Sequence, residues 1–101
     1  MNAIPKDALV QIVVSQLKDS ATREEFVELH RQTAAWMAAH SDCVSYEVFE
    51  GAKGAIADRI VWSSKAGAMR GNEEYAKTEI AAGMQRIVAS YNNFFGTPVA
   101  F

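Results

Sequence analysis

The stretch DRIVWSSKAGAM, residues 58–69, decides the fold of this chain. Its first residues alternate, so that Asp58, Ile60 and Trp62 share one face of a strand spanning about residues 56–63. The two serines after the tryptophan can accept hydrogen bonds from the first N–H groups of a helix. A strand that carries an acid and an indole on one face and runs directly into a helix indicates the middle of a small α+β unit.

The composition fits one domain over residues 1–101. Half of the residues are hydrophobic, which is enough for one core and leaves apolar surface for a partner chain. A net charge of −2 gives no basic surface for nucleic acid. No apolar run approaches the roughly 20 residues of a membrane-spanning helix. We therefore expect neither nucleic-acid nor membrane binding.

Cysteine usage and the N-terminus point to a cytoplasmic protein. The single cysteine, Cys43, cannot form an intramolecular disulfide, and no His and Cys residues have metal-ligand spacing. The first residues lack a basic segment followed by an apolar one, so no secretory signal is visible. The sequence predicts no metal site.

Hydrophobic periodicity places three elements before the central stretch. A strand over 8–17 is apolar on both faces, which is typical of a central strand, although Gln11 falls on the face shared with Leu9 and Val13. A helix over 23–39 follows. Thr22 and Glu25 have the pattern of a capping box at its N-terminus. A strand over 43–50 then leads through a glycine-bracketed turn, which predicts a hairpin.

Two helices and a last strand are predicted after the central stretch. A short helix over 65–70 is followed by a break at Gly71 and Asn72. A longer helix then presents an inward stripe with spacings of 4, 4, 3 and 4, at Ala76, Ile80, Met84, Ile87 and Tyr91. Residues 94–101 form a final extended segment, which Pro98 restricts to an edge of the sheet.

The order strand, helix, strand, strand, helix, strand predicts a ferredoxin-like βαββαβ fold of the α+β class. In this topology the first and third strands are central, and these are the most continuously apolar strands in the chain. The helices cover only one face of such a sheet, whereas Val10, Ile12 and Val14 lie on the other. Because monomers rarely expose so large an apolar patch, we expect a homodimer.

Three segments carry a resemblance to a known family: REEF at 23–26, SYEV at 45–48, and DRIVWSS with the small-residue helix KAGAM at 58–69. With them the chain resembles the dimeric α+β barrel superfamily, above all its antibiotic-biosynthesis-monooxygenase-like branch. The resemblance implies two sheets paired as a barrel. It also implies cofactor-independent oxidation of a small aromatic or polycyclic compound between sheet and helices.

The match to that branch is uneven at the level of residues. Trp62 matches the strand tryptophan that lines the cleft of the quinone monooxygenases, whereas Asp58 stands where they place an asparagine. The tyrosine expected shortly after the tryptophan is absent, and Tyr75 is its substitute by analogy. The haem-degrading relatives place a histidine on the following helix, but residues 72–89 contain none, so neither haem nor any other cofactor is expected.

Six residues are candidates for a site. The catalytic candidates are His30, Asp58 and Trp62, because a histidine at the inward edge of a helix can act as a base near neutral pH and a desolvated aspartate can do the same. The candidates for substrate binding are Tyr46, Met37 and Tyr75. Each also has a purely structural interpretation, with the aromatic residues packed in the core and the histidine bonded to backbone or water.

Two classes of function therefore stay open. One is an enzyme in which His30 or Asp58 deprotonates a phenol, with Trp62 and Met37 as the apolar wall. The other is a non-catalytic dimer that binds a small hydrophobic ligand or has a structural role.

Overall fold

The structure is a computed structural model and describes residues 4–101. Three helices pack on one face of a four-stranded antiparallel sheet. The strands are β1 (Leu9–Leu17), β2 (Cys43–Glu50), β3 (Ala55–Trp62) and β4 (Val88–Gly96). The helices are α1 (Arg23–Ala39), α2 (Lys65–Ala76) and α3 (Glu79–Ile87).

The sheet order is β2-β3-β1-β4. The first and third strands are central, so the ferredoxin-like α+β prediction is confirmed, including which strands lie at the edges. Residues at every second position of β1 and β3 face the helices, and we call this the inner face. The intervening residues form the outer face, which no helix covers.

Local signals in the first half of the chain form as predicted. The Thr22 hydroxyl accepts a hydrogen bond from the Glu25 N–H at 3.1 Å, and the Glu25 carboxylate accepts one from the Thr22 N–H at 3.0 Å. The hairpin between β2 and β3 turns through Lys53 and Gly54, both at positive φ (55° and 78°). The glycine takes the left-handed conformation without steric cost.

The predicted helix break at Gly71 and Asn72 is wrong. Helix α2 runs through both residues, and the chain breaks instead between Ala76 and Glu79. There the Thr78 hydroxyl accepts a hydrogen bond from the Ala81 N–H at 3.1 Å and begins α3. Asn72 is helical, and its side chain donates to the carbonyl of Ala68, one turn earlier, at 2.8 Å.

The predicted boundary between the last helix and the last strand is also wrong. Helix α3 ends at Ile87 and β4 spans residues 88–96, so Tyr91 lies on a strand opposite Ser15, and Pro98 follows the strand. The physical reason is the second edge of β1, whose N–H and C=O groups need partners. This requirement outweighs the helical spacing of the apolar residues.

The core of the described residues forms two clusters on the inner face. One contains Met37, Ile60, Trp62 and Ala68. The other contains Phe26, Ile56 and Ile87. The outer face, in contrast, leaves apolar side chains half exposed or more, among them Val14, Phe49 and Phe94.

Candidate functional site

A cavity of about 590 Å³ lies between the inner face of the sheet and the three helices. Its size is within the range of small-molecule sites. All six residues singled out in the sequence line it: His30, Met37, Tyr46, Asp58, Trp62 and Tyr75. The structure thus brings the candidates together, while their roles stay predictions.

One end of the cavity, the acid–base end, consists of His30, Tyr46 and Asp58. The Tyr46 hydroxyl donates to Oδ2 of Asp58 at 2.5 Å. Nε2 of His30 lies 3.6 Å from the same oxygen. Both side chains of this His–Asp pair are nearly buried, 11% and 13% exposed, so their charges are only weakly screened by water.

The backbone determines which nitrogen of His30 exchanges protons. Nδ1 lies 2.9 Å from the carbonyl oxygen of Phe26, one turn earlier on α1. A carbonyl oxygen only accepts, so Nδ1 carries a proton. In the neutral imidazole, Nε2 is therefore the atom with a free lone pair, and it is the nitrogen that faces Asp58.

Two of the three tyrosines that line the cavity, Tyr46 and Tyr75, are hydrogen-bond donors. Burial, reinforced by the negative charge of Asp58, raises the pKa of Tyr46 far above its ordinary value. Burial also raises the pKa of Tyr75, and its hydroxyl lies 2.8 Å from Oγ1 of Thr33. Thr33 donates its own proton to the carbonyl of Leu29, so the proton between the two hydroxyls belongs to Tyr75. Both tyrosines stay neutral at physiological pH.

The other end of the cavity contains a set of side-chain hydrogen bonds centred on Gln11, which we call the amide network. It is formed by Trp62, Gln11, Asn72 and Asn93. The buried indole N–H of Trp62 donates to Oε1 of Gln11 at 2.9 Å. Nε2 of Gln11 donates to the Oδ1 atoms of Asn72 and Asn93 at 3.0 and 2.9 Å. Nδ2 of Asn72 donates back to Oε1 of Gln11 at 2.9 Å.

The sequence alone did not single out the amides of this network. Gln11 did carry a signal, because a glutamine on a covered apolar face needs partners. Asn72 falls at the predicted helix break and Asn93 lies just beyond the last residue of the predicted helical stripe, so the sequence does not reveal that both meet Gln11. Trp62 itself is fully buried and its N–H is taken by Gln11, so its indole packs behind the cavity and offers a ligand no free polar group.

Close packing holds Trp62 in place. A Cβ atom added at Gly71 would lie 2.3 Å from two carbons of the Trp62 ring. The glycine therefore lets the backbone of α2 lie directly against the indole. This contact explains why position 71 carries a glycine.

Other groups lie apart from the cavity. Burial raises the pKa of the Cys43 thiol, which makes it a poor nucleophile. Across the described part of the chain, no three His, Cys, Asp or Glu side chains converge to hold a metal ion. None of the helices within residues 4–101 has the length and apolar character needed to cross a membrane.

The fold is shared with several solved structures. SnoaB, a cofactor-independent oxygenase from Streptomyces nogalater, superposes with a TM-score of 0.82 over 94% of this chain and 96% of its own, at 13% identity. An antibiotic-biosynthesis-monooxygenase-type protein from Nitrosomonas europaea gives 0.81 over 97% and 96%, also at 13% identity. A protein of the same type from Chloroflexus aurantiacus gives 0.74 over 93% and 95%, at 16% identity.

These likenesses define the structural class of the chain. It has the ferredoxin-like fold of the antibiotic-biosynthesis-monooxygenase-type structures, which confirms at the level of the fold the resemblance drawn from the sequence. No protein-family model matches the chain, and no curated protein matches it.

Proposed function

We propose that this protein is a cofactor-independent, monooxygenase-like enzyme that oxidises a small aromatic or polycyclic phenol in the cavity. One observation carries the proposal: Nε2 of His30, the ring nitrogen that the backbone does not hold, lies 3.6 Å from the carboxylate of Asp58 in a mostly apolar cavity. The oxygenase activity of SnoaB, a protein with the same fold, supports the same class of reaction.

His30 acts as the general base. It takes the phenolic proton on Nε2, and the carboxylate of Asp58 stabilises the imidazolium that forms. Asp58 is less suited to take the proton itself, because its Oδ2 already accepts the hydroxyl of Tyr46. Trp62 and Met37 form the apolar wall that keeps water from the phenolate.

The reaction balances without an added reductant. A phenol with an unsubstituted para carbon reacts with O₂ to give the quinone and water. One oxygen atom becomes the new carbonyl, and the other leaves as water with the phenolic proton and the proton of the para carbon. The substrate supplies all four electrons that reduce O₂.

We further propose that the protein works as a homodimer paired through the outer faces of its sheets. Val14 and Phe49 are each 52% exposed there and Phe94 is 61% exposed, which is unusual for a monomer. Light scattering at micromolar concentration should give twice the mass of the chain. Val14→Glu would place a charge in the middle of this face and should shift the mass to that of a monomer. A monomeric wild-type protein would refute the pairing.

Oxygen consumption tests the enzymatic proposal. The protein is mixed with hydroxynaphthalenes and hydroxyanthracenes in air-saturated buffer, and O₂ uptake and quinone absorbance are followed. With ¹⁸O₂, one labelled atom should enter the quinone.

A pair of histidine variants isolates the base. His30→Gln should lower the rate about 10²- to 10⁴-fold. His40→Gln is the matched control, because His40 lies outside the cavity lining and its Nε2 bonds Glu74 at 2.7 Å. Equal rates in the two variants would contradict the role of His30.

The competing function is a dimer that binds a small ligand without turnover. The amide network favours it, since amide groups can orient a ligand by hydrogen bonds but supply neither an acid nor a base. No turnover across the panel, together with undiminished ligand binding by His30→Gln, would establish this alternative.

A further inference from the structure

We infer that residues 73–77, which form the last turn of α2 and its cap, are a gate that opens the cavity while the rest of the chain stays folded. The gate pivots on the two residues just before it, Gly71 and Asn72. The inference goes beyond the proposed function, because it does not depend on which ligand enters the cavity or on what happens to that ligand there.

Gly71 and Asn72 are the weak point of α2. Both residue types disfavour a helix interior, which is why the sequence predicts a break here. The helix nevertheless continues through them. Gly71 is held by its close approach to the Trp62 ring, and the Asn72 side chain is held by its hydrogen bond to Gln11. These contacts fix the two residues themselves but not the turn that follows, so the helix opens most easily directly after them.

The two halves of α2 are anchored unequally. In the first half, Gly67, Ala68 and Gly71 are buried. In the gate, by contrast, Tyr75 is half-buried and the other four residues, at positions 73, 74, 76 and 77, are exposed. Opening the first half would expose part of the core, whereas opening the gate exposes little more than one tyrosine ring. The gate is therefore the half of the helix with the lower cost of local opening.

Side-chain contacts with the end of α1 hold the gate closed, and we call them the latch. The Glu74 carboxylate lies 2.7 Å from Nε2 of His40. The Tyr75 hydroxyl donates to Thr33 at 2.8 Å, and its ring packs edge-on against Trp36 with the centroids 5.3 Å apart. Hydrogen bonds near the surface exchange with water at a small net cost, so the latch can open and close. A glutamine at position 40 keeps a donor for this latch.

The gate lies between the cavity and the solvent. Tyr75 and Ala76 line the cavity, and Ala76 is also exposed, so a single helical turn forms the wall on this side. Beyond the gate, Thr78 has an extended backbone, with φ −84° and ψ 157°, and caps α3. This residue is a second pivot, so the gate can move without carrying α3 with it. Movement of the gate would open this side of the cavity.

Native-state hydrogen exchange tests the gate in the free protein, without any ligand. NMR gives the protection factor of each amide in deuterated buffer. Because a gate opens as one unit, the amides of residues 73–76 should share one protection factor, about tenfold or more below those of residues 68–71 in the same helix. A helix end that only frays would give a gradient instead, with residue 73 as protected as residues 68–71. Such a gradient would overturn the inference.

Two glutamate variants test the latch. Glu74→Ala removes the contact with His40 and should raise the exchange of residues 73–76 about fivefold, by the same factor at each amide. Glu73→Ala is the matched control, because it removes the same charge from the preceding position. Glu73 contacts Lys77 within the gate itself, at 3.7 Å and with both side chains 73% exposed. Its loss should change the exchange by less than about twofold.

Tyr75→Phe is a second test of the latch. It removes the hydrogen bond with Thr33 but keeps the ring against Trp36, and it should also raise the exchange of residues 73–76 about fivefold. Equal effects of the two glutamate variants, or faster exchange spread over both halves of α2, would overturn the inference. Neither result bears on the proposed oxidation, because exchange is measured without substrate and a cavity that is always open could still support the reaction.

Discussion

The two polar ends of the cavity differ in how completely their hydrogen-bonding groups are used. In the amide network, the indole N–H of Trp62 and both atoms of the Gln11 amide have partners within 3.0 Å. At the acid–base end, Nε2 of His30 lies 3.6 Å from Asp58, beyond hydrogen-bond distance. We call the first end closed because its central groups, the Gln11 amide and the Trp62 N–H, are bonded within the protein. The other, open end keeps a nitrogen free to exchange a proton.

The difference shows how one small fold can combine rigidity with reactivity. Gln11 is almost fully buried, and a buried amide is tolerated because all of its donors and acceptors are satisfied. Such a network fixes the side chains around it. The acid–base end instead retains some exposure, which lets ligand or water reach the unpaired nitrogen. The closed end should therefore govern stability, and the open end activity.

The largest expected effect comes from breaking the closed end. Gln11→Leu would leave the buried N–H of Trp62 and the side chain of Asn72 without their partner. Each buried unsatisfied group costs about 1–3 kcal/mol, so the free energy of unfolding should fall by about 3 kcal/mol. Urea denaturation at one fixed protein concentration measures it, since a dimer's stability depends on concentration.

Gln16→Leu is the control for that experiment. It makes the same substitution on the same strand, but at an exposed position where the hydrogen bond from Gln16 to the carbonyl of Lys53 is lost, and should change the free energy of unfolding by about 1 kcal/mol or less. Similar losses in the two variants would mean that the amide network carries no special stability.

The second prediction concerns the open end. Asp58→Asn keeps an acceptor for the Tyr46 hydroxyl but removes the negative charge beside His30. The rate of substrate deprotonation should fall about 10- to 100-fold, because the imidazolium loses its counter-charge. The free energy of unfolding should change by only about 1 kcal/mol. A variant that is strongly destabilised but fully active would reverse the assignment of the two ends.

The sequence predicted the open end better than the closed one, for physical reasons. His30 and Asp58 are titratable groups at the border of apolar faces, which is a local pattern visible in the sequence. The amide network depends on four residues that are far apart in the chain and meet only after folding. Asn72 converges on Gln11 because α2 continues through Gly71, where the absence of a side chain lets the helix lie against Trp62.

The same distinction explains the fold predictions. The capping box at Thr22 and the turn at Gly54 are encoded within a few residues, and both form as predicted. The central positions of β1 and β3 follow from their apolar faces. The switch from α3 to β4 at Val88 could not be found locally, because the free edge of a distant strand decides it.

The third prediction tests the packing that supports the closed end. Gly71→Ala would favour the helix by about 1 kcal/mol. The new methyl group, however, would meet the fully buried Trp62 ring at 2.3 Å, and overpacking costs about 1–3 kcal/mol. We expect a net loss of about 1 kcal/mol in the free energy of unfolding, measured with urea. Gly51→Ala is the control: its methyl group would make ordinary contacts at 3.5 Å, so it should be neutral or slightly stabilising.

The smallest expected effect is the contribution of Tyr46, at the open end, to the free energy of unfolding at alkaline pH. Burial, together with the charge of Asp58, raises the pKa of Tyr46 in the folded protein above its unfolded value of about 10. The contribution of Tyr46 to the free energy of unfolding is complete below about pH 10. Above about pH 10 it is lost, because the unfolded chain releases the phenolic proton while the folded protein retains it.

Removing the Tyr46 hydroxyl should therefore flatten the stability profile above about pH 10. Between about pH 9 and 11, the wild-type protein should lose about 1 kcal/mol more free energy of unfolding than Tyr46→Phe does. Comparing the change with pH, rather than the values at one pH, cancels the fixed cost of the lost hydrogen bond to Asp58. Parallel profiles would mean that Tyr46 ionises equally easily in both states, so that the acid–base end is wetter than its burial implies. A flatter profile in the variant would place a neutral, donating tyrosine beside Asp58, as its role in holding the carboxylate opposite His30 requires.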